Sequence, residues 1–336
     1  MPADVSPLVV VNHLGPEVGD ALGRFGGRLR VVAGSREAEA PWDWTALGAE
    51  RADILLTGPS RNWKQAPTEQ PVAWASGCPG GPLWVQIASA GVDGFPSWLL
   101  RGRIVTCGRG DAAAPIAEYV LTALLLRAKR LDALRPTGPD DWTRDAVATR
   151  DVTPLDSLQG QVLGVAGYGA IGRAVAARAR AFGLRVLAWR RGAWTGDGLA
   201  EPVGSLAELA AQVDHLVLAL PLTPETAGCV DAEVLAGARP GLHLVNVARG
   251  ALIDHAALLS ALDRGQVGFA TLDVTSPEPL PAGHPFYTHP AVRLTPHISW
   301  SGPAVRANFA RKLVENIESF LDGRPLRDVV DATRGY

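Results

Sequence analysis

The stretch Val162-Leu163-Gly164-Val165-Ala166-Gly167-Tyr168-Gly169-Ala170-Ile171-Gly172 decides how this chain folds. Its first five residues form a short apolar run, the pattern of a strand buried on both faces. Its last six are a Gly-x-Gly-x-x-Gly turn, and the residues from Ala170 to Ala181 continue with helical spacing. In that setting the first glycine permits a tight turn and the second lets a pyrophosphate approach the backbone. The third lets helix and strand pack closely. The phosphates then rest on the helix N-terminus, where N–H groups and the helix dipole favour negative charge. Gly167, Tyr168, Gly169, Ala170, Ile171 and Gly172 are therefore candidate dinucleotide contacts.

The next strand indicates which dinucleotide. Sites that prefer NAD carry an acidic residue about 20 positions further on, where it grips the ribose 2′-hydroxyl. Here Leu187-Ala188-Trp189 runs into Arg190-Arg191, with no carboxylate at the strand end. Two adjacent guanidinium groups suit a 2′-phosphate, so NADP is the expected cofactor, with NADPH preferred over NADH. Arginines are common on the surface of an arginine-rich chain. It is the position relative to the glycine turn that gives this pair meaning.

Working outward, apolar runs alternate with helical patterns over nearly the whole length. Strands are expected at Leu8–Val11, Ile54–Thr57, Leu83–Ala88 and Ile104–Thr106. A second series follows at Val162–Ala166, Arg185–Ala188, His215–Leu220, His243–Val247, Phe269–Asp273 and Val292–Leu294. Helices are expected at Ala170–Ala181, Leu206–Gln212, His255–Arg264, Ala113–Leu131 and Pro303–Leu321. The alternation predicts an α/β fold of two Rossmann-like or flavodoxin-like lobes, each a parallel sheet wound by helices. From Pro136 to Ser157 the sequence lacks periodicity and carries Pro, Gly, Asp and Trp142. It reads as a long loop, either a plain surface loop or an arm that packs on a second subunit.

Composition narrows the function classes. The chain has 336 residues, which favours two domains, and 47% of them are hydrophobic against 20% charged. A net charge of −2 without like-charge blocks excludes the basic footprint of a nucleic-acid or membrane-surface binder. No stretch is long enough to span a bilayer and no signal-peptide core is present, so a cytoplasmic protein is expected. Cys78, Cys107 and Cys229 are odd in number and far apart, which argues for reduced thiols over disulfides. No His/Asp cluster has metal-ligand spacing, so no metal is expected, and no nucleophile elbow appears.

Several motifs together resemble the D-isomer-specific 2-hydroxyacid dehydrogenases. They are Ser89-Ala90-Gly91-Val92-Asp93, Ala117-Glu118-Tyr119, the glycine turn, Leu220-Pro221-Leu222-Thr223 and Asn246-Val247-Ala248-Arg249-Gly250. Leu272-Asp273-Val274, Glu278-Pro279 and Thr295-Pro296-His297 complete the set. The Arg190-Arg191 pair is most similar to the NADPH-using glyoxylate/hydroxypyruvate reductase branch. The resemblance implies a discontinuous substrate domain, residues 1–109 and 298–336, and a nucleotide domain, residues 110–297, with the active site in the cleft between them. It further implies backbone contacts from Ala90 and Gly91 to a substrate carboxylate, and Asp273 facing the nicotinamide carboxamide. Trp189, Leu220, Pro221, Thr226, Val247, Ala248 and His297 fall at cofactor-binding positions of the family pattern, and a homodimer is implied.

The chemistry can also be argued from residue types. Reduction of a 2-keto acid needs a carboxylate anchor, a carbonyl polariser, a proton donor and a hydride held over the carbon. Arg249 follows the strand His243–Val247, and its planar fork suits a carboxylate with its adjacent carbonyl. His297 is the candidate proton donor, because an unperturbed imidazole titrates near neutrality. Glu278 is placed to hydrogen-bond the imidazolium and orient it. The other six histidines lack such company and read as structural. Two departures from the family pattern stand out: Arg190 replaces an acidic strand-end residue, and Trp300 follows His297 where smaller residues are common. Trp300 is accordingly a candidate substrate-pocket residue. The expected activity is hydride transfer from NADPH to a small 2-keto acid, giving a D-2-hydroxy acid. The competing reading is a dinucleotide-sensing protein of the corepressor type, which shares this fold.

Overall fold

The computed structural model describes residues 6–74, 81–131, 133–152 and 154–336. Cys78 lies outside the described residues; Cys107 and Cys229 are both free thiols. The chain divides into two compact units, Met1–Asp111 with Gly302–Tyr336 and Ala112–Ser301.

The first unit is built on β1 (Leu8–Asn12), β2 (Leu29–Ala33), β3 (Ile54–Thr57), β4 (Trp84–Ile87) and β5 (Ile104–Thr106). All pair in parallel in the order β2-β1-β3-β4-β5, which is the flavodoxin-like arrangement. The last helix, Pro303–Leu321, returns to this unit. Its Leu313 and Ile317 are fully buried and pack with Val10, Ile54, Leu56 and Trp84. The opposite side of the sheet is filled by aromatic rings: Trp44, Trp63, Trp74, Trp98 and Phe95 are all buried together.

The second unit contains β6 (Val162–Ala166), β7 (Arg185–Trp189), β8 (Glu201–Pro202), β9 (His215–Leu218), β10 (Leu242–Asn246), β11 (Val267–Leu272) and β12 (Val292–Leu294). Their order is β12-β11-β10-β9-β6-β7-β8, again wholly parallel. Counted from β6, this is the Rossmann order 3-2-1-4-5-6 with one further strand. Both sheets thus follow the doubly wound pattern that strand-helix alternation predicts. No helix among the described residues is long and apolar enough to cross a membrane.

The stretch from Pro136 to Ser157 corrects the sequence reading, for it is not a continuous loop. A helix runs over Pro139–Val147, with Gly138 at its N-cap, Pro139 in its first turn and acidic Asp140 and Asp141 beside it. Asp141 accepts hydrogen bonds from the N–H and hydroxyl of Thr137, and Arg144 pairs with it one turn on. These local signals start a helix of only nine residues, too short a window for Trp142, Ala146 and Val147 to establish a helical period in the sequence. Thr153, in the same stretch, lies outside the described residues. The long helix also stops earlier than expected, at Lys129, where Arg130 turns left-handed with φ 47°.

A polar chain crosses the core of the second unit. His215 and His243 are cross-strand partners with their Nδ1 atoms 3.3 Å apart. His215 Nε2 lies 2.6 Å from Gln161 Oε1, and His243 Nε2 lies 3.0 Å from Thr271 Oγ1. With both rings neutral, the three contacts are satisfied when Thr271 donates to His243, His243 to His215, and His215 to Gln161. Both rings are neutral, because burial in this core penalises a charged ring. Burial lowers His215 to about 4 and drives His243 down as well. A base whose folded pKa lies below its unfolded value stabilises the fold above the unfolded pKa, near 6.5. That stability is lost as pH falls toward the folded value. For His215 this amounts to about 3 kcal/mol between pH 6.5 and 4. Urea unfolding at pH 7.5 and 4.5 should therefore show a clear loss at the lower pH; a flat profile would contradict the neutral chain.

Candidate active site

Strand register assembles the candidate residues of the second unit along one edge. Trp189 pairs with Ala166, Ala166 with Leu218, Leu218 with Asn246, Asn246 with Leu272, and Leu272 with Leu294. Six strands therefore end in one row, the carboxyl edge where open α/β sheets bind ligands. At ~4.8 Å per strand the row is roughly 24 Å long. Arg190 and Arg191 follow its β7 end, the glycine turn follows β6, and Arg249, Glu278 and His297 follow β10, β11 and β12.

The glycine turn has the shape that a dinucleotide requires. Gly167 sits at φ 99°, and a side-chain carbon there would come within 2.4 Å of the Ala219 carbonyl oxygen. At Gly172 the same carbon would meet the Gly167 carbonyl oxygen at 2.4 Å, so the helix can pack on the turn only without a side chain. Gly169 faces open space, with nothing within 4 Å, and is the N-cap of the helix Ala170–Ala181. First and third glycines are thus filled by protein and the second is left open to an incoming phosphate. Tyr168 behaves differently from a simple loop position, because its ring is buried at 4% exposure.

Beyond the turn, Leu220 and Thr226 are buried and Pro221 is half-buried. Thr226 donates to the Pro221 carbonyl and accepts from the Thr223 N–H, so its hydroxyl holds the Leu220–Thr226 loop in shape. Trp189 is half-buried, while Arg190 and Arg191 are exposed; an Arg191 nitrogen lies 4.0 Å from Glu225.

At the other end, His297 Nδ1 lies 3.0 Å from Glu278 Oε2. Burial pushes the Glu278 carboxyl up. The His297 ring, the Thr275 N–H and the Arg249 charge outweigh it and hold the carboxyl below its ordinary value. Glu278 is therefore a carboxylate at neutral pH, and Arg249 is close enough to act on it. Arg249 bonds the Ala248 carbonyl through Nη1 at 2.8 Å. Val247 and Ala248 are buried beneath it.

Two residues hold this arrangement in ways the sequence did not reveal. Asn246 clasps the turn after β10: its Oδ1 accepts from the Ala248 N–H and its Nδ2 donates to the Arg249 carbonyl. Asp273, 1% exposed, spends its carboxylate on the turn after β12. It accepts from the Thr295 hydroxyl at 2.6 Å and from the N–H groups of Ile298 and Ser299 at 2.9 Å each. Its carbonyl also accepts from the His297 N–H at 2.9 Å. These four bonds fix His297 at φ 52°, a conformation that non-glycine residues rarely adopt without support. Trp300 adds a fifth constraint, donating its indole N–H to the His297 carbonyl at 2.8 Å while its ring stays half-exposed. Buried polar residues at strand ends were the available signal for Asn246 and Asp273, since such groups must find partners.

Gly250 lets the two halves of the trio meet. A side-chain carbon on it would lie 1.9 Å from the Thr275 carbonyl carbon, so the exit of β10 touches the backbone that leads to Glu278. Ala90 and Gly91 belong to the first unit, in a turn after β4 that the Ser89 hydroxyl closes onto the Gly91 carbonyl. Among the described residues no cluster of His, Cys, Asp and Glu could hold a metal ion.

Comparison with known proteins agrees with this architecture. Glycerate dehydrogenase of Methylorubrum extorquens is 37% identical over 253 residues, 74% of this chain and 78% of its own. Glyoxylate/hydroxypyruvate reductase A of Serratia proteamaculans is 36% identical over 230 residues, 67% of this chain and 69% of its own. Among solved structures, an NADPH-dependent glyoxylate/hydroxypyruvate reductase from Sinorhizobium meliloti, in complex with NADP and malonate, matches with a TM-score of 0.73. It is 26% identical and covered over 98% of each chain. The family model described as D-isomer specific 2-hydroxyacid dehydrogenase, NAD binding domain, matches residues 122–299. That stretch takes in the whole seven-stranded sheet and the turn bearing His297, and the chain belongs to the D-isomer-specific 2-hydroxyacid dehydrogenase family.

Proposed function

We propose that this chain reduces a small 2-keto acid of the glyoxylate or hydroxypyruvate type to the D-2-hydroxy acid, with NADPH as the preferred cofactor. The observation that carries the reading is the His297–Glu278 hydrogen bond at the carboxyl edge, with the Arg249 charge beside it. Arg249 anchors the substrate carboxylate and polarises the neighbouring carbonyl. A nicotinamide cofactor, held by the glycine turn of residues 167–172, would supply the hydride that the carbonyl carbon accepts. His297, oriented through Nδ1 by Glu278, gives the carbonyl oxygen its proton, and the ionised Glu278 stabilises the charged ring that holds that proton. In this reading residues 110–297 carry the nucleotide and residues 1–109 and 298–336 the substrate side, with the Ala90 and Gly91 N–H groups as a second carboxylate grip. The named relatives that reduce glyoxylate and hydroxypyruvate support the substrate class.

Cofactor preference follows from Arg190 and Arg191. Charge-assisted hydrogen bonds to a 2′-phosphate should favour NADPH by roughly ten- to several-hundred-fold, with exposure and salt pulling toward the lower figure. Arg190→Asp should reverse the preference, because a carboxylate repels the phosphate and accepts from the ribose hydroxyl of NADH. The measurement is kcat/KM for both nucleotides with glyoxylate and hydroxypyruvate at fixed ionic strength. Wild-type protein that prefers NADH would overturn the cofactor reading. Silence across a panel of 2-keto acids would return the chain to dinucleotide sensing.

The chain in this reading works as a cytoplasmic homodimer. The helix Pro139–Val147 presents Trp142, 69% exposed, and Val147, and Leu131 and Leu155 are exposed nearby in sequence. A second copy is the simplest cover for such an apolar set. Light scattering should give twice the 35.3 kDa chain mass, and Trp142→Glu should return it to the single value. A wild-type monomer at micromolar concentration would remove the dimer from the reading.

A further inference from the structure

The loop that carries the two arginines is tied down at a point the activity does not call for. Between the end of β7 and the start of β8 the chain runs from Arg190 to Ala200, with Gly192, Gly196 and Gly198 all at positive φ. Three such glycines leave a free loop many conformations. In this structure the loop is pinned to the glycine turn by Tyr168, the residue between the first two glycines. The Tyr168 ring stacks on the Trp194 indole, with centroids 4.8 Å apart and planes inclined by 27°. Its hydroxyl donates to the Asp197 carboxylate, 3.0 Å from each oxygen. Asp197 in turn accepts from the N–H groups of Leu199 and Ala200, which leads the chain into β8. Trp194 packs against the core cluster that includes Tyr168, Val186 and Ala188. The buried Trp194 Nε1 has no hydrogen-bond partner among the described residues, so the stack holds this ring and no polar contact does.

We propose that Tyr168, Trp194 and Asp197 form a clamp that positions the Arg190-Arg191 turn, and that this clamp sets the selectivity for nucleotides bearing a 2′-phosphate. The inference rests on the reading that the arginine pair receives that phosphate. A guanidinium rewards a phosphate only if it is already placed, because any ordering of the loop on binding is subtracted from the affinity. The clamp completes that ordering beforehand. A nucleotide without the 2′-phosphate makes no call on the arginines and is indifferent to whether they are ordered. Tyr168, Trp194 and Asp197 are thus positioning residues that act through Arg190 and Arg191, and their signature is a change in discrimination.

Dissociation constants for NADPH, NADH and 2′,5′-ADP, measured by calorimetry on the apo protein, test this. Trp194→Ala should weaken NADPH and 2′,5′-ADP by about tenfold and NADH by less than about twofold, the upper range for one aromatic pair. Trp194→Phe keeps a stacking ring and should restore discrimination. Tyr168→Phe keeps the stack, loses the bond to Asp197, and should weaken NADPH by about threefold relative to NADH. Equal weakening of both dinucleotides in Trp194→Ala, or no change, overturns the clamp. If that variant does not fold, an unchanged NADPH-to-NADH ratio in Tyr168→Phe overturns it instead. The double variant Arg190→Ala, Arg191→Ala separates the two levels. Discrimination that survives there removes the arginine reading and the clamp with it; discrimination lost there but kept in Trp194→Ala removes the clamp alone.

Discussion

Replacing His297 with Ala should lower the reductive kcat by ~10²–10⁴-fold, the usual worth of a positioned general acid, and far more than it weakens dinucleotide binding. The ring is held on one side by the 3.0 Å bond to Glu278, and its backbone is fixed at φ 52° by the turn that Asp273 anchors. Nδ1 is thereby committed to the carboxylate, and Nε2 is left to carry the transferable proton. His215 and His243 are buried and neutral in the core, and burial takes His13 down to about 4; His289 also meets a carboxylate, Asp263 at 3.4 Å, but it precedes β12 and so lies away from the carboxyl edge. Glu278→Gln keeps the shape but removes the charge that favours a protonated ring. The reductive kcat should then fall, though by less than in His297→Ala. Near-normal turnover in His297→Ala, in protein that still binds substrate, would remove His297 from the mechanism. An unchanged kcat in Glu278→Gln would separate Glu278 from it.

Gly250→Ala should be nearly as damaging without touching a single charged group. Its new methyl would lie 1.9 Å from one backbone atom of Thr275 and 2.2 Å from another, and backbone cannot rotate aside as a side chain can. The exit of β10 and the segment leading to Glu278 must separate by more than an ångström. A stability loss of about 3 kcal/mol or more is expected from such overpacking. Arg249 and Glu278 are displaced with it, so the folded fraction should lose ~10²-fold in kcat/KM. Urea unfolding gives the first figure and active-site-normalised kinetics the second. A variant with wild-type stability and rate would show that the two backbones do not meet as described.

The glycine turn and the strand-helix alternation carried the fold in the sequence because both are local signals. A strand is legible when buried on both faces, and the parallel order then follows from the crossovers. The arginine after β7 and the motifs around Arg249, Glu278 and His297 were legible as residue types at strand ends. Their spatial relation was not, because it depends on the pairing of Asn246 with Leu272 and of Leu272 with Leu294, across long stretches of chain. The helix Pro139–Val147 escaped because its starting signals are polar and its apolar residues too few. Edge strands β2 and β8 were missed for a similar reason: both are partly exposed and carry charged residues. The supporting bonds of Asn246, Asp273 and Trp300 belong to another kind of information. A sequence names a buried Asp, but only the folded turn shows that four hydrogen bonds converge on it.

The alignment of six strand ends has a consequence for how such an enzyme can change over time. Adjacent loops touch, as Tyr168 does Trp194 and Gly250 does Thr275, but each of these contacts joins neighbouring strands of the row. The arginine turn and the His297 turn lie at opposite ends of the row, well beyond the distance at which mutational effects usually couple. Free-energy changes made at the two ends should simply add. On the proposed reading of the two ends, a lineage can therefore exchange its nucleotide preference without reinventing its acid-base chemistry, and selection at one end leaves the gains at the other intact. The same independence lets a laboratory library confined to residues 190–200 be sorted by nucleotide use alone, with the reaction itself as a constant background.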